Sequence, residues 1–346
     1  MCLAEPRGLK LDTSRSKCYF HVCCMGHIFI LFVVSLANAA ADRYSLLQLP
    51  SFKRPGVADA NASQWASWCW DGLERLHDRE IFLIHIPKVA GCSIVGDLSK
   101  LVGRDKIWTG QVCWDRSTQA KFEKTVLMLR RPNDHLLSIY HQCLQPGPLE
   151  LHHRQKLGVA QGQPGFTLPD FATWVKSWKQ DAPKQFYTQA YLQERYHCSD
   201  PRNPTSRQLT CADETDHPVN IHVQKPMEIL HSASVIGLVE AYHESICLFA
   251  WKLRNFLPSH CNCEDVAAWE AFVPLHITHK HTYSDTVDDY NASVQKDIEG
   301  LTHVDRKVYQ AGLARFFQEM DELEKTLRVK VLCDQQRQKL LNTSQY

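Results

Sequence analysis

A short segment of the sequence combines residue types that bind a phosphate group. From His85 to Ser93 it reads H-I-P-K-V-A-G-C-S, with a cation at Lys88 and a hydroxyl at its end. The small residues Ala90 and Gly91 let the backbone approach an anion, which the amides at a helix N-terminus favour. The segment therefore predicts an anion site. A lysine on an ordinary strand-to-helix turn is the alternative.

A second basic turn, Leu129-Arg130-Arg131-Pro132, follows the next predicted strand. Arg130 stands where that strand ends, and Ser138 lies about one and a half turns into the helix that follows. Because parallel strands end at the same edge of a sheet, both side chains could contact a second phosphate near the first. Two separated phosphate sites indicate a nucleotide phosphorylated at both ends of its ribose. An arginine pair in a solvated turn is the alternative.

Apolar runs alternate with helical patterns around these two turns. The predicted strands are 81–86, 125–129 and 234–238, and the predicted helices include 94–102, 133–140, 171–178, 242–253 and 304–327. Strands that alternate with helices favour an α/β fold with a central parallel β-sheet flanked by helices.

Composition and charge exclude several classes of protein. The 346 residues are 44% hydrophobic, which is typical of a chain with a large packed core. Lys and Arg number 39 and Asp and Glu 38, so no overall basic field indicates a nucleic-acid partner. The sequence has no G-x-x-x-x-G-K-[ST] segment, which argues against a P-loop phosphotransferase or NTPase.

The N-terminal region predicts a membrane anchor. Residues 18–41 contain no Asp, Glu, Lys or Arg, and basic residues are in excess before them. A run of about 20 apolar residues spans a bilayer, and the basic side stays cytosolic. We expect a cytosolic tail (1–17), a transmembrane signal anchor (18–41), a stem (42–77), a lumenal domain (78–330) and a C-terminal tail (331–346). A cleaved signal peptide is the alternative, because Ala37-Asn38-Ala39 is a possible cleavage site.

Further features agree with a lumenal domain. Glycosylation sequons begin at Asn61, Asn291 and Asn342. Of the 14 cysteines, ten follow the predicted anchor, in a compartment that permits disulfides. Cys198 and Cys211 are a plausible loop-closing pair, although the sequence leaves the connectivity open.

Both basic turns resemble motifs of a known family. His85-Ile86-Pro87-Lys88 with Gly91 and Ser93 is similar to the 5′-phosphosulfate loop, H-I-P-K-T-G-G-T-S, of the membrane-bound, Golgi-type carbohydrate sulfotransferases of the heparan sulfate O-sulfotransferase type. Leu129-Arg130-x-Pro132 with Ser138 and Tyr140 is similar to that family's 3′-phosphate motif, L-R-D-P-x-x-R-x-x-S-x-Y. Two weaker similarities, around Val235–Glu240 and at Asp305, Tyr309 and Phe316, extend the resemblance over about residues 80 to 325.

The resemblance implies a P-loop-like fold and a specific co-substrate. Enzymes of this family transfer the sulfuryl group of 3′-phosphoadenosine 5′-phosphosulfate to a carbohydrate hydroxyl and need no metal. Carried over, the 5′-phosphosulfate would be bound by Lys88 and by the backbone amides of the next five residues, Val89, Ala90, Gly91, Cys92 and Ser93. The 3′-phosphate would be bound by Arg130 and Ser138. The resemblance also implies a single-pass type II protein of the Golgi membrane, anchored through its N-terminal helix, with a carbohydrate acceptor.

The sequence departs from the family pattern in the first motif. Val89 and Cys92 replace threonines, which removes hydroxyl donors from the loop. Ala90 replaces a glycine, and it fits unless the loop requires a positive φ there.

The general base is also in question. Thr109 and Gln111 stand where 2-O-type members have histidines, and a glutamine amide cannot accept a proton at neutral pH. We favour His141, because an imidazole titrates near neutral pH. The other candidates are Asp115, His135 and Glu240.

A metal site is not expected. Cys261-x-Cys263 and the histidines at 276, 279 and 281 depart from the usual zinc-ligand spacings.

The alternative to an enzyme is a non-catalytic lumenal protein that binds a nucleotide or a glycan on the same fold. The absence of the family's histidines at positions 109 and 111 favours this alternative.

Overall fold

The structure, a computed structural model, describes residues 79–110, 120–144, 169–180, 201–211, 221–274 and 286–343. No helix within these ranges is long and apolar enough to cross a membrane. The predicted cytosolic tail, anchor and stem lie outside the described residues, as do the sequons at Asn61 and, in part, at Asn342.

A sheet of four parallel strands forms the centre of the described fold. The strands are β1 (Ile81–Ile84), β2 (Ile107–Gly110), β3 (Lys124–Leu129) and β4 (Val235–Leu238), in the order β2-β1-β3-β4. Ile84 of β1 is in register with Leu127 of β3, so these adjacent strands end at the same edge of the sheet. The prediction of an α/β fold with a central parallel sheet is confirmed.

Helices flank this sheet. They are α1 (Gly91–Val102), α2 (Pro132–Leu144), α3 (Phe171–Gln180), α4 (Pro204–Thr210), α5 (Gln224–Ser232), α6 (Tyr242–Arg254), α7 (Val266–Glu270), α8 (Ala292–Leu301), α9 (His303–Leu327) and α10 (Asp334–Thr343). The main core contains all four strands and inward-facing residues of α1, α6 and α9, whereas a second apolar cluster joins α2, α3 and α8.

Close packing of helices on the sheet requires glycine at two points. A β-carbon on Gly237 of β4 would lie 2.5 Å from the ring of Phe249 in α6. A β-carbon on Gly312 of α9 would lie 2.3 Å from the side chain of Leu129 in β3. Both distances are shorter than any van der Waals contact, so α6 and α9 approach their strands too closely for a larger residue.

Residues after 330 also contact the described fold. Val331 and Leu332 are fully buried, and the segment after them forms α10. A disulfide joins Cys263 to Cys333, and the side chain of Gln336 donates a hydrogen bond to the backbone oxygen of Glu240 (2.5 Å). The segment predicted as a C-terminal tail contacts the sheet domain through these residues and through Leu340, which is 1% exposed.

Disulfides are present in the described structure, as expected for a lumenal chain. Cys247 pairs with Cys261, in addition to the Cys263–Cys333 bond. Cys92, Cys143 and Cys211 are also disulfide-bonded. The proposed partner of Cys211, at position 198, is among the residues that are not described, so that pairing stays a prediction.

Candidate nucleotide site

The loop between β1 and α1 has a backbone that can surround an anion. Lys88 (φ 64°) and Ala90 (φ 62°) are both left-handed, a conformation that residues with a β-carbon adopt at a cost. The first bond of α1 runs from the amide of Ile94 to the oxygen of Ala90 (3.0 Å). The amides of the residues between them therefore have no acceptor within the helix, as at any helix N-terminus. These amides and the N-terminal end of the helix dipole favour an anion.

Gly91 allows the loop to close over the end of β1. The imidazole of His85 lies against its α-carbon, and a β-carbon there would stand 2.0 Å from the ring. His85 is 5% exposed, and burial lowers its pKa to about 4. Only glycine fits between this neutral ring and the start of the helix.

Two cations of the predicted site lie side by side. The guanidinium of Arg130, at the end of β3, donates a hydrogen bond from Nη1 to the backbone oxygen of Lys88 (3.0 Å). Both side chains are half-buried, and neither forms a salt bridge with any residue that the structure describes. Burial and, secondarily, the charge of Arg130 lower the pKa of Lys88, and burial lowers the pKa of Arg130. The charges of Asp134 and Glu240 oppose the effect of burial on Arg130, whereas no opposite charge within the described ranges acts on Lys88. Two neighbouring buried cations are unfavourable, and a bound anion would relieve this cost.

The other residues predicted to bind the nucleotide lie on the same two strand-to-helix segments, β1 to α1 and β3 to α2. Ser138 is half-buried on α2, the helix that follows Arg130. In the first loop, the Cys92 and Ser93 side chains are half-buried, whereas Val89 is 1% exposed and belongs to the core. Val89 can therefore offer a ligand its amide but not its side chain.

The second basic turn is supported from α9. Glu240, which follows β4, accepts hydrogen bonds from the amide of Arg131 (2.6 Å) and from the hydroxyl of Tyr309 (3.1 Å). The Arg131 guanidinium forms a two-point ion pair with Asp134 at the start of α2 (2.7 and 2.8 Å). These contacts fix the turn in which Arg130 lies.

The candidates for a general base are in different environments. His135 is fully buried, and its Nε2 lies 2.7 Å from the oxygen of Pro87; Glu240 is hydrogen-bonded as described. Burial lowers the pKa of His135 to about 3, which makes it a poor proton acceptor. His141 lies on α2 and is 8% exposed. Asp115 and Gln111 lie outside the described residues.

Sequence reasoning missed the contribution of α4 to the site. Thr205 and Ser206 donate backbone hydrogen bonds to Asp305 of α9 (2.9 and 2.8 Å), and the hydroxyl of Thr205 lies 3.3 Å from Nδ1 of His135. The signal available was Asn203-Pro204, since proline is common at the first position of a helix. That signal predicts a helix but not its contact with the loops.

The described residues contain one group of side chains with metal-ligand chemistry. Atoms of His243, Cys247, His260 and Cys261 lie within 4.8 Å of one another. The disulfide between Cys247 and Cys261 uses both sulfurs, which leaves two imidazoles, fewer than a zinc site requires. Cys263, the other cysteine of the motif at 261–263, is also in a disulfide, and the histidines downstream lie outside the described residues.

Comparison with known proteins does not assign a family. No family model matches the chain, and no curated protein or solved structure matches it either. The geometry of the two loops, together with their motif resemblance, is therefore the basis for the function proposed below.

Proposed function

We propose that the chain is a sulfotransferase that transfers the sulfuryl group of 3′-phosphoadenosine 5′-phosphosulfate to a hydroxyl of a carbohydrate acceptor. The contact between Arg130 and the backbone of Lys88 is the observation that best supports this proposal. It brings together the two loops that the motif resemblance assigns to opposite ends of one nucleotide. Neither half-buried cation forms a salt bridge with a carboxylate that the structure describes, and Lys88 has no opposite charge acting on it, as expected of a site for a polyanion.

In this proposal each loop binds one end of the nucleotide. Lys88 and the amides of residues 89–93 bind the 5′-phosphosulfate, and Arg130 with Ser138 binds the 3′-phosphate. The acceptor oxygen attacks sulfur while the bond from sulfur to the bridging oxygen breaks, and adenosine 3′,5′-bisphosphate leaves. Negative charge grows on that bridging oxygen, where a fixed ammonium and oriented amides stabilise it.

The acceptor hydroxyl must also lose a proton. We propose His141 as the base, because His135 and Glu240 are each held by hydrogen bonds to backbone groups of the two loops. His141 is 8% exposed, so the proposal requires the acceptor hydroxyl to reach a nearly buried imidazole.

The proposed setting is the lumen of the Golgi, with the chain anchored as a single-pass type II protein by residues 18–41. The two disulfides support an oxidising compartment. The sequon at Asn291 lies at the start of α8, where the side chain caps the helix by accepting hydrogen bonds from Ser293 and Val294.

A binding protein without catalytic activity is the second candidate. The fixed hydrogen bonds of His135 and Glu240 favour it, since they remove two of the four candidate bases. Such a protein would bind the nucleotide or a glycan in the same place without transfer.

Titration calorimetry with adenosine 3′,5′-bisphosphate tests the site. We expect the chain to bind this nucleotide and Lys88→Ala to weaken binding at least about tenfold, because a hydrogen-bonded charge is lost. Lys100→Ala is the matched control, since Lys100 is an exposed lysine near the opposite end of α1. Equal affinity of the Lys88→Ala and wild-type chains would refute the assignment of the first loop.

Transfer of radiolabelled sulfate from the labelled co-substrate to a panel of glycans separates the two candidates. Label on any glycan supports the enzyme. Tight nucleotide binding with no label on the panel supports the binding protein. Displacement of the bisphosphate by ATP at similar concentration would instead favour a phosphotransferase.

A further inference from the structure

We propose that His135 is a positioning residue that orients the loop at residues 85–90 for anion binding. The identity of the anion, a nucleotide phosphate or sulfate, rests on the proposed function. His135 lies in the first turn of α2, and its ring is fully buried. Its Nε2 is 2.7 Å from the backbone oxygen of Pro87. Because a carbonyl oxygen can only accept, Nε2 is the protonated nitrogen and Nδ1 has the lone pair.

Nδ1 has a partner of its own. The hydroxyl of Thr205 lies 3.3 Å away and can donate to it. Thr205 is in turn fixed by its amide, which donates to Asp305 (2.9 Å), a residue of α9 that is 2% exposed. A continuous series of contacts therefore runs from the long helix α9, through α4 and His135, to the loop.

The contact determines where the loop amides point. In a trans peptide the carbonyl oxygen and the following N–H point in opposite directions. His135 donates to the oxygen of Pro87, and Arg130 donates to the oxygen of Lys88. Two successive carbonyl groups are thus turned toward α2 and the end of β3. The N–H groups of Lys88 and Val89 then point away from these donors and remain available to an anion.

A neutral side chain suits this position. Lys88 and Arg130 both lie near the ring, and their charges act with burial to keep its pKa low. A cationic side chain would add a third like charge to a site that already has two without salt bridges. The imidazole donates the required hydrogen bond without that charge, whereas the motif that the sequence resembles often has arginine here.

Binding of adenosine 3′,5′-bisphosphate by two variants tests the proposal. His135→Leu fills the site but donates nothing, and we expect it to weaken binding about tenfold, since the oxygen of Pro87 loses its donor. His135→Gln can still donate from its amide, and we expect it to retain most of the affinity. Leu253→Ala is the control for general loss of stability. Leu253 is 5% exposed, and its oxygen accepts from Lys124 at the start of β3, so it lies at the edge of the sheet opposite the loops.

Wild-type affinity in His135→Leu would overturn the proposal. So would equal losses in His135→Leu and Leu253→Ala, because the effect would then reflect stability and not position. The proposal is supported if His135→Gln retains its affinity for the bisphosphate and His135→Leu does not.

Hydrogen exchange on the ligand-free chain provides a readout that does not depend on the proposed function. We expect His135→Leu to speed exchange at the amides of residues 88–93 while β1 remains protected, and His135→Gln to do so less. If the wild-type chain binds no bisphosphate but this local change occurs, the proposed function fails and the positioning role stands. Unchanged exchange in the loop refutes the positioning role whatever the nucleotide result.

Discussion

Lys88 is the residue on which the proposed chemistry depends most. Its backbone is left-handed, its carbonyl accepts from Arg130, and its ammonium is half-buried beside that cation. Burial first, and the neighbouring positive charge second, lower the pKa of its ammonium. An anion bound against the ammonium would favour the charged form and raise the pKa again.

This difference in pKa predicts how nucleotide affinity responds to pH. Below the pKa of the free protein, Lys88 is charged with or without ligand, and affinity is at its full value. As pH rises through that lowered pKa, the free lysine loses its proton, so binding must take up a proton and affinity falls. We expect calorimetry from about pH 7 to about pH 10 to show this fall earlier than an ordinary lysine would produce it.

Lys88→Arg is the control for this prediction, because a guanidinium stays charged throughout the range. Its affinity should depend less on pH than that of the wild-type chain. Parallel pH profiles for the two proteins would show that another group is responsible.

Among the elements, the start of α1 shows a clear conflict between sequence and conformation. Ala90 is the residue before the helix and is left-handed, with φ 62° and ψ 23°. A β-carbon costs about 1–2 kcal/mol in that region, and the motif that this segment resembles has glycine there. We expected alanine to fit at position 90 unless the loop required a positive φ there. The loop does require a positive φ at this position, so the alanine is strained.

We expect Ala90→Gly to stabilise the chain by about 0.5–1 kcal/mol, the relief of strain less the added entropy of the unfolded state. Urea unfolding measures the change. Ala311→Gly, in the middle of α9, is the control and should destabilise by about 1 kcal/mol because glycine disfavours a helix. If Ala90→Gly loses as much stability as Ala311→Gly, the alanine at position 90 is not strained.

At the scale of the whole molecule, the C-terminal segment is closed onto the sheet domain by a covalent bond. The Cys263–Cys333 disulfide spans 70 residues, whereas Cys247–Cys261 spans 14. The Cys263–Cys333 disulfide, which closes the longer loop, joins the segment that contains Val331, Leu332 and α10 to the region after α6. Closing a longer loop removes more entropy from the unfolded chain.

Removing each disulfide should therefore have a different effect. We expect the double change Cys263→Ser and Cys333→Ser to lower the free energy of unfolding by about 4 kcal/mol, and the double change at 247 and 261 to lower it by about 3 kcal/mol. Guanidinium unfolding of the two variants measures both values. A larger loss from the shorter loop would show that local packing, and not loop closure, dominates.

The local elements near the site could be predicted from the sequence. Apolar runs and turn residues identify β1, β3, β4 and the helices after them, because periodicity and turn chemistry act over neighbouring residues. β2 was not predicted as a strand. Its four residues are too few to show a period, and they are a strand because Ile107 and Trp108 pair with β1.

The sequence by itself therefore determined the α/β pattern, the two basic turns and the residue types placed at the ends of β1 and β3. The tertiary structure alone decided that Arg130 binds the backbone of Lys88, that His135 is a support for Pro87 and a poor base, and that Cys333 pairs with Cys263. These contacts join residues that are distant in the chain. They depend on how strands are ordered and helices packed, which no local pattern of residues encodes.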